Sequence, residues 1–424
     1  MPTIPLHPHA YAILIVFLLG YALITIEHIT KISKTVIALL MAIICWTILF
    51  ADPFCPNEET NKCLLEHLAS VSQIVLFLLG ALAIVEVISI HQGFKVISDF
   101  ISVGSKRGFL WLMGFITFFL SSVLDNLTTT IVMVTLAQKL LPKTEERLII
   151  GGGIVIAANA GGAWTPIGDV TTTMLWIGEK LTTFHMIKQL FLPSFICFIV
   201  SFFMLSTMLK GRFKALHLDE KNEIEPGGKL IFYLGIGALV FVPIFKLTTG
   251  LPPFMGVLFG LSVLWLITDI IHRNKSESHL RMPHALSKVD LSSTLFFLGI
   301  LLCVDTLDRA NILDNVALWL DNTVQNTTVI ATLIGLISAV VDNVPLVAAS
   351  MSMYDLSQHP ANSHFWDLIA FCAGTGGSIL IIGSAAGVVY MGLEDVDFMW
   401  YLRRISFAAL VGYFAGIGVY LLMG

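Results

Sequence analysis

The tripeptide Leu124-Asp125-Asn126 returns as Val341-Asp342-Asn343, and each time a carboxylate and an amide interrupt an apolar stretch. A charged side chain at membrane depth costs about 2.5–3.5 kcal/mol on insertion scales, so its presence there points to a function. Here the costly feature occurs twice, half a chain apart. Paired halves with matching polar interruptions are the signature of a secondary transporter built on an internal repeat.

Around the first carboxylate the chain reads Ser121-Ser122-Val123-Leu124-Asp125-Asn126-Leu127-Thr128-Thr129-Thr130. Hydroxyls, an amide and a carboxylate are the oxygen ligands that a hard cation prefers. Ser121 or Thr129 taken singly fits helix packing as well; Asp125 does not. Further on, Asn159-Ala160-Gly161-Gly162 leads to Thr165-Pro166-Ile167-Gly168-Asp169 and then Thr171-Thr172-Thr173. The glycines and Pro166 unwind a helix. Unwound backbone is tolerated at membrane depth only where it is buried in protein or lines a cavity. Its carbonyls, with Asp169, Thr171 and Thr172, then form a cation site. Asp125, Asn126 and Asp169 are the candidate sodium ligands.

The second half keeps the plan and loses part of the charge. Asp342-Asn343 follows Ser338 and precedes Val344-Pro345, with no threonine run. The glycine-rich break reads Gly374-Thr375-Gly376-Gly377-Ser378, then Ile382-Gly383-Ser384, so Ser384 stands where Asp169 would be. The expected site is therefore lopsided. Glu86 and Asp305 are related acids near the ends of their helices. Snorkelling to an interface and a place in the ion path both remain open for them. An unperturbed histidine titrates near pH 6.5, which makes His28 or His91 a candidate sensor of cytoplasmic pH, and nothing in their spacing requires that role.

These residues need a membrane-embedded frame, and composition provides one. The 424 residues are 56% hydrophobic and only 12% charged, against about 25% charged in a soluble domain. Apolar runs recur from Tyr11–Ile26 to Phe407–Met423, and runs near twenty residues read as membrane-spanning helices. The partner is the lipid bilayer. No nucleic-acid partner is expected, and no cofactor beyond the ions carried.

Further landmarks repeat in one order. Trp46 matches Trp265, Phe77-Leu78-Leu79-Gly80 matches Phe296-Phe297-Leu298-Gly299, and Glu86 matches Asp305, all 219 residues apart. Asp125 and Asp342 are 217 apart, and Gly161-Gly162 and Gly376-Gly377 are 215 apart. Residues 1–209 thus form a first repeat, 210–228 a linker, and 229–424 a second repeat. The first repeat predicts helices near 10–27, 35–51 and 71–91, a paired element over 107–141, an interrupted helix over 146–178 and a last helix over 187–209. The second predicts the same at 229–247, 252–271, 291–311, 324–356, 364–393 and 401–423.

The paired element is a re-entrant hairpin or two crossings. Either gives an odd number per half, so the second repeat is inverted. With the N-terminus outside, nineteen of the 24 basic residues fall in cytoplasmic segments, as the positive-inside rule requires. Both termini are then outside and 210–228 is cytoplasmic. Cys55 and Cys63 share an outer loop, and spacing leaves their pairing open. The other four cysteines lie in apolar segments as packing residues. Met1–Ala10 has neither a basic n-region nor the composition of a transit peptide, which favours a retained first helix in a bacterial plasma membrane.

The motifs at 124–130, 158–162 with 165–169, 341–345 and 374–378 together resemble those of the NhaD-type sodium/proton antiporters of the ion-transporter superfamily. The resemblance covers nearly the whole chain. It implies an all-α polytopic fold of two inverted repeats, each with five crossing helices, one of them broken, and a re-entrant hairpin. It implies a dimerising scaffold (about 10–91 and 229–311) and a moving transport domain (about 105–209 and 322–424). It points to Asp125, Asn126, Asn159, Asp169, Thr171, Thr172, Ser338, Asn343 and Ser378 as functional positions; the residues themselves add Thr128, Thr129, Asp342 and Thr375.

Related symporters of sodium with dicarboxylates carry Ser-Asn-Thr at the hairpin tips. Asp125 and Asp342 replace that serine here, and an anionic substrate would meet a like charge. The expected function is exchange of Na+ or Li+ for H+, without enzymatic chemistry. An organic-anion or arsenite carrier of the same superfamily is the alternative. An intramembrane aspartyl protease is remote: it expects Gly-x-Gly-Asp, whereas Asp169 follows Ile167-Gly168.

Overall fold

The computed structural model describes residues 5–25, 30–51, 57–98, 105–212, 225, 227–273 and 278–423. Among them the chain is helical throughout, with no strand and a single β-bridge between Ser105 and Arg212. The main helices are α1 (Ala10–Thr25), α2 (Lys34–Phe50), α3 (Asn57–Ile90), α4 (Lys106–Ser121), α5 (Asn126–Leu140), α6 (Glu145–Gly162), α7 (Val170–Ile177), α8 (Thr183–Met208), α9 (Gly228–Thr249), α10 (Pro253–Ile271), α11 (Leu291–Arg309), α12 (Ile312–Val324), α13 (Thr327–Ile337), α14 (Asn343–Met353), α15 (His364–Gly376), α16 (Ala385–Glu394), α17 (Phe398–Arg404) and α18 (Ser406–Met423).

Six described helices are long and apolar enough to cross a bilayer: α3 from Leu64, α8, α9, α10, α11 and α18. The chain is a polytopic membrane protein. Local chemistry starts and stops its helices. Ser33 caps α2 by accepting from the amide of Thr35, Asp290 caps α11 by accepting from Ser293, and Gly250 ends α9 at φ +72°, a conformation glycine adopts without a Cβ penalty.

Packing divides the helices into two groups. α1, α2, α3, α9, α10 and α11 pack on one another, as do α4, α5, α6, α8, α13, α15, α16 and α18. α7 and α14 pack on each other and on α15 of the second group, and the groups meet through them, α14 touching α11 and α7 touching α3. An aromatic cluster ties α4 to α8, with Phe118 stacked on Phe198 at 5.2 Å and Phe115 edge-on to it at 5.2 Å.

Two elements differ from the sequence reading. α3 begins at Asn57 rather than near 71, because the polar segment 57–67 continues the helix beyond its apolar core. α12, with polar and apolar faces, precedes the second paired element; its alternating composition is not an apolar run. Pairing of Cys55 and Cys63 concerns side chains outside the described residues, as does His28. Cys45, Cys197, Cys303 and Cys372 are buried and unpaired by disulfides.

Candidate ion-binding site

Four helix N-termini converge near the middle of the molecule. Each belongs to the second member of a helix–break–helix pair: α4–α5, α6–α7, α13–α14 and α15–α16. Their first residues lack intrahelical partners for the backbone N–H, and each is capped by a side chain. Asp125 caps α5, Asp169 caps α7, Asp342 caps α14 and Ser384 caps α16. Asp169 and Ser384 sit at nearly the same backbone angles, φ −147° and ψ 148° against φ −144° and ψ 155°.

Glycine brings the pieces together. A Cβ at Gly161 would lie 2.2 Å from the Phe118 carbonyl oxygen, and one at Gly376 would lie 2.0 Å from that of Gly335. Only a residue without a side chain permits either approach. Ser121 Oγ then donates to the Ala158 carbonyl at 2.7 Å, and Ser338 Oγ to that of Ala373 at 3.1 Å. Ser338 thus joins α13 to α15.

The centre is Asp169, which is 2% exposed. Its Oδ1 accepts from the amide of Thr171 at 3.0 Å. Its Oδ2 accepts from Asn126 Nδ2 at 2.7 Å and from Asn343 Nδ2 at 3.4 Å. One amide comes from each half of the chain. Asn126 Nδ2 also donates to Asn159 Oδ1 at 3.1 Å, and Asn159 Nδ2 donates to Val155 O at 2.9 Å and to Ser384 Oγ at 3.1 Å. Asp169, Asn126, Asn159, Asn343 and Ser384 are therefore one buried network.

Three hydroxyls beside it, Thr129, Thr130 and Thr171, are buried with an oxygen that has no hydrogen-bond partner among the described residues. A buried polar atom without a partner is costly, and an oxygen-seeking cation would relieve that cost. Asp125 and Asp169 both line a cavity of about 50 Å³, closed on the other side by Phe77, Leu78 and Phe297 of α3 and α11. Among the described residues, no lysine, arginine or histidine lines it.

Other expected site residues lie around this centre with local partners. Asp125 accepts from the Thr128 amide at 2.7 Å and from its hydroxyl at 2.6 Å, so Thr128 serves the cap. Thr172 Oγ1 donates to the Asp169 carbonyl at 2.9 Å. Asp342 accepts from the Val344 amide at 3.3 Å and lies 3.7 Å from Lys34 Nζ. Thr375 Oγ1 donates to the Phe371 carbonyl at 2.6 Å, and Ser378 Oγ to that of Thr375 at 2.7 Å.

The remaining candidates stand apart. Glu86 is on α3 and does not line the cavity. Asp305 is held on α11 by Arg309 Nε at 3.1 Å and His67 Nδ1 at 3.2 Å. His91 is buried with its Nε2 3.1 Å from that of His272. Sequence reasoning left Ser384 and Lys34 out of the site. Ser384 was legible as the counterpart of Asp169, whereas Lys34 looked like the basic flank of an apolar run.

A family model described as citrate transporter matches residues 21–374. Two Arabidopsis thaliana proteins named sodium/proton antiporter 1 and sodium/proton antiporter 2 are each 52% identical, over 97% and 96% of this chain and 72% and 98% of their own length. A Vibrio cholerae protein named Na(+)/H(+) antiporter NhaD is 30% identical over 97% of this chain and 91% of its own.

Proposed function

We propose a mechanism from one premise: the chain belongs to the NhaD-type sodium/proton antiporter family. It exchanges Na+ for H+ across a membrane. Asp169 is the carboxylate that holds one ion or the other. Asn126 and Asn343 turn their NH2 groups toward it here. Rotating either amide would present its carbonyl oxygen instead, so the same two residues serve a bare carboxylate as donors and a bound cation as ligands. Asn159, whose NH2 is already engaged, offers its oxygen inward. Thr129 and Thr171 hydroxyls complete an oxygen set, and Asp125, across the cavity, adds charge.

The observation that carries this reading is the capping of the four converging helix ends. A helix N-terminus attracts anions. Three of these ends carry their own aspartate, and only the α16 end, capped by Ser384, lacks a compensating charge, so an anionic substrate would meet three carboxylates at the convergence. The cavity of about 50 Å³ is also far below the roughly 300–1,000 Å³ of sites for small organic ligands. Both points favour a small cation over citrate, despite the description of the family model.

We read the first packing group as the scaffold and the second as the transport domain, dimerising through the scaffold. α4, α5, α13 and α14 have 16, 15, 11 and 11 residues, short of the about 20 needed to cross. That supports re-entrant hairpins; the inverted repeats follow from an odd number of crossings per half with either form of the paired element. With the N-terminus outside, Lys106, Lys143 and Arg404 fall in cytoplasmic segments, and they meet the neighbours of other such segments: Lys106 with Glu146, Arg404 with Glu145, and Lys143 with Asp395. Lys180 and Asn362, in segments that the same topology puts outside, are joined by a backbone hydrogen bond of 2.9 Å. These contacts support the alternation of sides along the chain; the basic-residue count then favours both termini outside. A bacterial plasma membrane is our first placement. The higher identity to two plant proteins favours a membrane within a plant cell as a second.

Everted vesicles carrying the protein test the exchange. NaCl should dissipate an imposed pH gradient, with KCl and citrate having little effect. An equal response to K+ would overturn the Na+ assignment, and uptake of labelled citrate would favour the organic-anion reading.

A further inference from the structure

Asp342 is held differently from the other capping aspartates. Three residues after Asp125 stands Thr128, whose amide and hydroxyl take both carboxylate oxygens at 2.7 and 2.6 Å. Three residues after Asp342 stands Pro345, which has neither an amide hydrogen nor a hydroxyl. Within its own helix Asp342 has only the Val344 amide, at 3.3 Å. Its Oδ2 faces Lys34 Nζ at 3.7 Å, and the two side chains are 22% (Lys34) and 13% (Asp342) exposed.

Lys34 is itself fixed in place. It opens α2, and the neighbouring Thr35 hydroxyl donates to the Ser292 carbonyl at 2.9 Å, pinning that end of α2 to α11. Its ammonium lies 4.5 Å from the ring centroid of Phe296, a buried residue of α11. An aromatic face favours a cation placed over it. A positive charge carried by the first packing group is thus presented to the carboxylate that caps α14, a helix packed on both groups. Asp342 precedes Asn343, whose amide reaches Asp169, so this charge stands next to the ion centre.

We propose that Lys34 is a tethered cation that holds Asp342 and so sets the affinity of the centre for Na+. The inference rests on Asp169 and its amides being the ion site. With Lys34 in place, Asp342 is neutralised and adds little attraction for a mobile cation. Without it, an uncompensated carboxylate faces the centre and draws Na+ more strongly. Lys34 therefore keeps the affinity low enough for release, which a carrier needs as much as binding.

The test compares Lys34→Met, Lys34→Arg, Asp342→Asn and the Lys34→Met/Asp342→Asn double variant. The apparent KM for Na+ is measured at alkaline pH in proteoliposomes. Na+-dependent thermal stabilisation of the purified protein gives a second readout for variants that no longer transport. Lys34→Met keeps the stem against Phe296 and should tighten Na+ by about fivefold or more. Lys34→Arg, which keeps the charge, should tighten it less. In the Asp342→Asn background, Lys34→Met should give a smaller gain than in the wild-type chain, because it relieves only the lysine's own repulsion and exposes no carboxylate. Unchanged or weaker Na+ affinity in Lys34→Met, an equal gain in Lys34→Arg, or a full gain without Asp342 would each overturn the proposal. Asp169→Asn separates the two levels. If it keeps a Na+ response, the site itself is misplaced. If it loses that response while the Lys34 variants stay flat, only the tethered cation fails.

Discussion

The two Asp-Asn tips carry the same pair of residues and use them unequally. At the first, Asn126 reaches Asp169 at 2.7 Å and Asp125 is satisfied inside its own helix. At the second, Asn343 reaches the same oxygen at 3.4 Å and Asp342 depends on Lys34. The broken helices repeat the contrast, with a carboxylate capping one and a hydroxyl capping the other. Backbone approaches at Gly161 and Gly376 match to within a few tenths of an ångström, so the frame is paired while the charge is not. A second carboxylate at Ser384 would face Asp169 across shared amides, and like charges at such range disfavour joint ionisation. A serine at that position instead leaves Asp169 as the one carboxylate of the amide network.

The largest effect should come from breaking that contrast at its charged end. Asp169→Ala should reduce NaCl-driven dissipation of a pH gradient in everted vesicles below detection, with membrane insertion intact. Asp125→Ala should also be severe, since it removes both charge and cap. Ser384→Ala removes a cap, worth about 0.5–2 kcal/mol, and one acceptor of the Asn159 amide, which keeps its bond to Val155; it removes no charge and should retain measurable exchange. Equal loss in Asp169→Ala and Ser384→Ala would mean that the halves are chemically equivalent after all.

The proposed competition at Asp169 also fixes the sign of the pH response. If protons and Na+ exclude one another there, lowering pH fills the site with protons and raises the apparent KM for Na+. Raising pH should lower that KM roughly tenfold per unit per competing proton, until the site is deprotonated and the curve flattens. KM measured from about pH 6.5 to 9 on both faces checks this. A flat line throughout would require separate sites for the two ions.

Much of this arrangement was legible in the sequence, for identifiable reasons. Asp125, Asp342 and Asp169 stood out because a carboxylate in an apolar run has no cheap explanation. The helix breaks stood out because Gly and Pro act locally. The meeting of Asn126, Asn159 and Asn343 at Asp169 was not legible as geometry, since it depends on packing between segments 33 to 174 residues distant. Lys34 was hidden for a related reason: a lysine at the start of an apolar helix satisfies the topology rule and invites no further question. The extension of α3 to Asn57 escaped because helix propensity, unlike apolar length, does not stop at the membrane surface.

The smallest expected effect concerns hydroxyls, and it tests how far the inequality between the halves extends. Thr171 follows Asp169 by two residues and has a buried Oγ1 without a hydrogen-bond partner among the described residues. Thr375 is equally buried, but its Oγ1 is bonded to the Phe371 carbonyl one turn back in its own helix at 2.6 Å. Valine matches threonine in shape and removes only the hydroxyl. At Thr375 that exchange frees a carbonyl lone pair and touches no member of the Asp169 network, so Na+ affinity should change by less than about twofold, and stability by about 1 kcal/mol. At Thr171 it removes an oxygen that a bound cation would use, so apparent KM for Na+ should rise several-fold with little change in stability. The readout is KM in proteoliposomes set against thermal unfolding of the purified variants. A larger KM shift in Thr375→Val than in Thr171→Val would place the ion nearer the second broken helix and reverse the asymmetry.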